Sequence, residues 1–266
     1  MKIIFLILMT FISIGVNASN FVSLKIPQSK IIAETPNITV ALPSSYKSDI
    51  AKAYPVLFVL DGELNGELVN GMLHRLHLSN GSNEHIIVGV TSSNRLRDFA
   101  PTVNKDPRGP VGEGGGGDKF LDFLESELIP HINKQYRTTK FNVIAGHSIA
   151  GLFVIHTFHS RPKLFQAHLA FSPAVWWGAR ETVTSAQNYI VSSESVGSYL
   201  YMNIGSENGE LRNVYDSFAK MIMRNRSTEL DLRLNQFDAV GHDFTMAAGL
   251  YNALSGLHTY QRRKGI

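Results

Sequence analysis

The chain has 266 residues, with 25 lysines and arginines against 22 aspartates and glutamates, and no cysteine. That length suits one large domain with a core of its own, and the small, scattered net charge of +3 argues against nucleic acid as a partner. Lack of cysteine excludes disulfides and a lipid-attachment cysteine, so an exported form must rely on a full-size core.

In chain order, Lys2 precedes an almost wholly apolar stretch, residues 3–16, and Val16-Asn17-Ala18 offers small residues where a signal peptidase cuts. The stretch is short for a membrane span. Residues 1–18 are therefore expected to be a cleaved secretory signal, with an uncleaved anchor as the competing reading. Residues 19–266 are expected to be a single domain, periplasmic or secreted from a bacterial cell, with no stable membrane anchor.

Residues 21–26 and 37–42 have the pattern of opening strands. Residues 54–60 (YPVLFVL) form a continuous apolar run, as expected of a strand covered on both faces, and end at the turn signal Asp61-Gly62. A helix is expected over 67–78 and a buried strand over 85–90. Residues 91–117 form a long segment with few regular signals, ending in a glycine-rich stretch (GEGGGG, 112–117). That stretch follows no clear strand and has no Lys-Ser/Thr pair after it, so a phosphate-binding loop is not supported; a loop beside a pocket fits better. Asp118 is expected to cap an amphipathic helix bearing Phe120, Leu121, Phe123, Leu124, Leu128 and Ile129.

Residues 142–151 (NVIAGHSIAG) carry the most information. A buried strand ends at a small residue, a serine follows, and an apolar helical segment begins. This is the layout of a nucleophile elbow, which lifts a serine hydroxyl out of a sheet on a strained turn. Gly146 supplies the small neighbour that the turn needs, while Ala150 stands where a second glycine is usual. Further strands are expected over 167–171, 200–204 and 230–237, with helices over 179–190, 211–224 and 244–257. Strands alternating with helices imply an α/β protein with a mostly parallel central sheet flanked by helices on both faces.

A serine hydroxyl needs a base, and the base an orienting acid. His242 lies after a strand and before the last helix, where a loop would stand at the carboxyl edge of the sheet, and is the expected base for Ser148. The acid should follow the strand over 200–204: Glu207 comes first, Glu210 is the fallback and Asp238 the third choice. Attack on an ester carbonyl also needs oxyanion donors. The backbone N–H of Ile149 at the start of the elbow helix should be one, and that of Gly62 or Glu63 the other. His168 falls within a strand and His258 deep in the last helix. His156 and His159 lie one helical turn apart, but no carboxylate ligand or zinc motif accompanies them, so packing is expected and no metal.

These stretches also carry a resemblance. Residues 54–63 (YPVLFVLDGE), 94–102 (NRLRDFAPT), 120–130 (FLDFLESELIP), the elbow, 171–177 (FSPAVWW) and Gly241-His242 are similar to the "Putative esterase" family of α/β-hydrolases, which includes esterase D and the periplasmic enterobactin esterases. The resemblance spans nearly the whole chain after residue 18. It implies an α/β-hydrolase fold and carboxylic ester hydrolysis with no cofactor or metal. It places Ser148 and His242 at motif positions, and an acid in the loop over 205–210 more loosely. Ala150 and Gly178 depart from the family pattern.

Trp176 and Trp177 could line a pocket for an aromatic acyl or catechol group, with core packing as the alternative. Arg95 and Arg97 could meet anionic substrate groups, with a salt bridge to Asp98 as the alternative. The expectation is thus a secreted serine carboxylesterase acting on a small acyl, aryl or siderophore-type ester through an acyl-enzyme. A feruloyl or acetyl esterase acting on decorated polysaccharide, and a non-catalytic binding protein retaining the fold, are the alternatives.

Overall fold

The computed structural model describes residues 21–193 and 197–266. The expected signal, residues 1–18, lies outside the described residues. Eight strands form one sheet in the order β1-β2-β4-β3-β5-β6-β7-β8. They are β1 (Phe21–Leu24), β2 (Asn37–Ala41), β3 (Tyr54–Leu60), β4 (Ile86–Thr91), β5 (Thr138–His147), β6 (Ala167–Phe171), β7 (Ser198–Ile204) and β8 (Leu230–Gln236). The β1–β2 and β2–β4 pairs are antiparallel and all the others parallel. The mostly parallel sheet and its covering helices are those of an α/β-hydrolase.

Alternation along the strands explains the two layers of core. In β3, Tyr54, Val56, Phe58 and Leu60 point to one face, and Leu57 and Val59 to the other; every one is buried. The first face is covered by α3 (Gly117–Phe123) running through a π-helical turn (Leu124–Leu128) into α4 (Ile129–Gln135), and by α5 (Ile149–Ser160), α6 (Glu181–Ser192) and α7 (Gly209–Asn225). The second face is covered by α1 (Gly62–His77) and α8 (Thr245–Arg263). Fully burying a side chain such as Phe58 contributes roughly 2–3 kcal/mol, so with both faces covered β3 is apolar throughout and does not alternate with polar residues.

Several expectations are corrected: the first strand ends at Leu24 and the last helix, expected over 244–257, runs to Arg263. The helix expected over 67–78 starts at Gly62, because Gly62, Asn65 and Gly66 are weak helix formers that disguise its first turn. Within 91–117 lies a short helix, α2 (Arg95–Phe99), whose N-cap Asn94 accepts from the Arg97 amide. Asp118 is not the cap of α3: Gly116 holds that position, and the Asp118 carboxylate instead reaches His156 at 2.8 Å. This supplies the carboxylate that the sequence did not place beside the His156–His159 pair. Among the described residues, no group of three or more potential ligands could hold a metal ion, and no helix is long and apolar enough to cross a membrane.

Four histidines are packed into this structure as neutral groups. Burial pushes His85 down to about 4 and His168 to about 3. Burial, helped by a neighbouring imidazole, takes His147 and His159 to about 4. The unfolded chain binds these protons near 6.5, so stability is complete above that pH and is lost as pH falls toward 4 and then 3. A fall from 6.5 to about 4 is equivalent to about 3 kcal/mol for each residue. Thermal melts at pH 7.5 and pH 4.5 should therefore differ by about 10 °C or more. Equal midpoints would show that these imidazoles are not held neutral.

Candidate active site

The sheet order reverses between β3 and β5: the chain leaves β3 toward β4 on one side, and continues from β5 to β6, β7 and β8 on the other. Crevices at the carboxyl ends of strands flanking such a switch point are where open α/β sheets bind ligands. Three adjacent strands end there on non-glycine residues with positive φ. Asp61 after β3 has φ 53°, Ser148 after β5 has φ 60°, and Ser172 after β6 has φ 38°. Such conformations cost on the order of 1–3 kcal/mol each and persist only where the surroundings enforce them.

At Ser148 the enforcement is visible. With ψ −117°, the residue links β5 to α5, its amide donates to the Phe171 carbonyl at 2.9 Å, and its own carbonyl accepts from Leu152 and Ala174. A methyl group on Gly146 would sit 2.6 Å from the Ala150 carbonyl oxygen, so Gly146 has to be glycine. Ala150 is tolerated for the complementary reason: its methyl occupies the space that the missing Gly146 side chain leaves.

The structure brings Ser148, His242 and Glu207 together from three different loops. Ser148 Oγ lies 2.9 Å from His242 Nε2, and His242 Nδ1 lies 2.9 Å from Glu207 Oε1. His242 stands in a 3-10 turn, His242–Phe244, just before α8. Glu207 lies in the turn between β7 and α7 with its side chain buried, and its charge is maintained. Burial works against the carboxylate, but hydrogen bonds from Ser172 and His242 outweigh that and hold its pKa below the ordinary value. Glu210, the fallback acid, points elsewhere and pairs with Arg180 and Arg108. Asp238 accepts from Gln236.

Ile149 is the first residue of α5, and Gly62 and Glu63 are the first two of α1. Both helices therefore start at this edge, and N–H groups of a first turn have no partner inside their own helix. Gly62 also allows α1 to lie directly on β4: an added methyl would meet the Gly89 backbone at 2.5 Å.

An ion pair between half-exposed Arg95 and buried Asp61 ties these two helix starts together. Arg95 Nε donates to both Asp61 carboxylate oxygens, at 2.8 and 2.9 Å, and its terminal nitrogen donates to the His147 carbonyl at 3.0 Å. Burial raises the Asp61 pKa, and the Arg95 charge opposes that rise. The His147 ring lies beside that of His242, with centroids 4.7 Å apart, and its Nε2 donates to the His242 carbonyl at 2.9 Å. Because burial and the adjacent His242 lower its pKa to about 4, His147 is a neutral neighbour for the base.

Other expected substrate contacts are engaged in the protein itself. Arg97 is paired with Asp98 at 2.7 Å and with Glu34, so the salt-bridge alternative describes it. Trp177 is buried, with its indole N–H donating to the Thr102 carbonyl at 2.8 Å, and packs as core. Trp176 is half-buried and stacks obliquely on Trp177, with its ring edge against Gly109 of the long loop. Of the four, Arg95 is fixed beside the elbow, but its donors face Asp61 and His147. The Asp61–Arg95 pair, His147 and Ser172 are contacts that no local pattern announced.

With this geometry in hand, similarity to known proteins is informative. The family described as "Putative esterase" matches residues 29–261. The chain belongs to that family. It is 35% identical over 141 residues to the "Ferri-bacillibactin esterase BesA" of Bacillus subtilis, covering 47% of this chain and 49% of that protein. It is 34% identical over 111 residues to a "Siderophore enterobactin esterase" of Emericella nidulans, covering 38% of this chain and 37% of that one. The matches thus span half or less of the length of these relatives. Among solved structures, an IroE-like serine hydrolase from Shewanella oneidensis superposes with a TM-score of 0.84 at 27% identity, covering 90% of this chain and 80% of that one.

Proposed function

We propose that this family member is a serine carboxylesterase that cleaves a small acyl, aryl or siderophore-type ester through an acyl-enzyme. The observation that carries the reading is the hydrogen-bonded relay from Ser148 Oγ through both nitrogens of His242 to Glu207, set on a strained elbow. Glu207 holds the proton on His242 Nδ1, leaving Nε2 free to accept the Ser148 proton as Oγ attacks the ester carbonyl. The tetrahedral oxyanion takes hydrogen bonds from the first N–H groups of α5 and α1, where helix dipoles also favour negative charge. As the C–O bond breaks, His242 Nε2–H protonates the departing alkoxide. A water molecule then gives its proton to His242, attacks the acyl-enzyme and releases the acid, and Ser148 recovers its proton.

The siderophore-type substrate is supported by the names of the two curated relatives. Export to the periplasm or beyond is part of the same proposal and rests on residues 1–18. Hydrolysis of a catecholate trilactone and of short-chain p-nitrophenyl esters, followed by chromatography of the released acids, tests the substrate class. Cleavage of the p-nitrophenyl esters alone would retain the esterase and remove the siderophore assignment.

Arg95 has a positioning role in this reading, since its fork joins the loop before the α1 donors to the elbow. Arg95→Lys keeps the charge but cannot reach Asp61 and His147 together. Small displacements of reacting groups are costly, so kcat should fall by about 10- to 100-fold. Steady-state kinetics would detect it; a change confined to KM would instead indicate direct substrate binding by Arg95.

A further inference from the structure

Ser172 closes β6 in a position that few serines occupy: it is fully buried, with φ 38°. Its amide donates to two acceptors of one residue, the Asn203 backbone oxygen at 3.1 Å and the Asn203 side-chain oxygen at 2.9 Å. Asn203 is itself anchored, because its Nδ2 donates to the Thr245 carbonyl at 2.7 Å, and the Thr245 hydroxyl donates to the His242 carbonyl at 2.8 Å. The backbone of Ser172 is thus built into the same framework that holds the His242 loop.

Its hydroxyl faces the relay. Ser172 Oγ donates to Glu207 Oε1 and lies 3.1 Å from His242 Nδ1. Proton counting assigns the roles. His242 Nε2 must accept from Ser148, so the ring proton sits on Nδ1 and points toward Glu207 Oε1. The Ser172 hydroxyl proton then also belongs to Glu207 Oε1, with an oxygen lone pair turned toward Nδ1–H. One carboxylate oxygen takes both donors, while Oε2 is buried without a hydrogen-bond partner. Besides the residue's own backbone N–H, which also favours the charged form, Ser172 and His242 are the side chains seen to donate to this carboxylate.

We propose that Ser172 is a positioning residue of the hydrolytic site: its hydroxyl locks Glu207 in the orientation that directs His242. The relay therefore has four side chains, Ser148, His242, Glu207 and Ser172. This inference rests on Glu207 being the orienting acid in the proposed function. A buried hydroxyl that merely satisfied the end of a strand would be independent of Glu207, and that difference is measurable.

The test is a double-mutant cycle on the full chain with p-nitrophenyl butyrate, using Ser172→Ala, Glu207→Ala and the pair. Ser172→Ala should lower kcat by about 10- to 100-fold with KM changed by less than about 2-fold. In the Glu207→Ala background, the same substitution should cost less than about 2-fold, because the residue through which it acts is gone. Ser172→Cys keeps the volume but is a weak donor, so it should resemble Ser172→Ala while its melting midpoint reports an intact fold. An undiminished factor in the Glu207→Ala background would overturn the proposal, as would a fully active Ser172→Ala beside an impaired Glu207→Ala. A fully active Glu207→Ala would overturn the acid assignment itself, and this inference with it.

Discussion

Ser148→Ala is expected to lower kcat/KM for an activated aryl ester by about four to six orders of magnitude, leaving at most the residual rate that oxyanion donors and binding provide. The loss should be chemical and not structural. The Ser148 hydroxyl contacts His242 Nε2, whereas the elbow is held by backbone bonds to Phe171, Leu152 and Ala174 that alanine retains. Alanine also carries the same Cβ as serine at φ 60°, so the melting midpoint should move by no more than a few degrees. A variant that folds normally and still turns over at a tenth of the original rate would require a different nucleophile.

The second large effect separates two glutamates three residues apart. Glu207→Gln removes the charge that faces His242 and presents an amide in its place, which favours the tautomer with Nδ1 unprotonated. The corresponding change in serine-protease triads costs about 10⁴-fold in kcat, and a loss of about 10³- to 10⁴-fold is expected here. Glu210→Gln removes only half-exposed pairs with Arg180 and Arg108, which contribute little, and kcat should stay within about 2-fold. Steady-state kinetics on both variants decides between them; the reverse ranking would move the acid to Glu210.

The parts of this site that could be foreseen are those encoded in contiguous residues. Strand β3 and residues 143–145 of β5 are apolar runs because both faces are covered, and the turn at Ser148 demands a small residue at 146, so both are legible in one dimension. Chain order alone placed His242 and Glu207, since each follows a strand of a parallel sheet and must emerge at the same edge.

What escaped depends on approach between distant segments. Arg95 and Asp61 are 34 positions apart and meet only because α2 folds back over the end of β3. Ser172 was visible only within the FSPAVWW stretch: a positive φ leaves no mark on a serine, and Glu207 lies 35 positions away. Arg97 and Trp177 have side chains equally suited to a ligand or to the protein interior. Their neighbours Glu34 and Thr102 decided the matter, and neither pairing has a sequence period.

The central claim is that Ser148 is a nucleophile activated by His242. The most direct measurement is intact-mass analysis of the protein after treatment with a fluorophosphonate, followed by peptide mapping. The account predicts one adduct, on Ser148, absent from Ser148→Ala and formed far more slowly in His242→Ala. An unlabelled protein that still hydrolyses esters, or an adduct on any other residue, would contradict it.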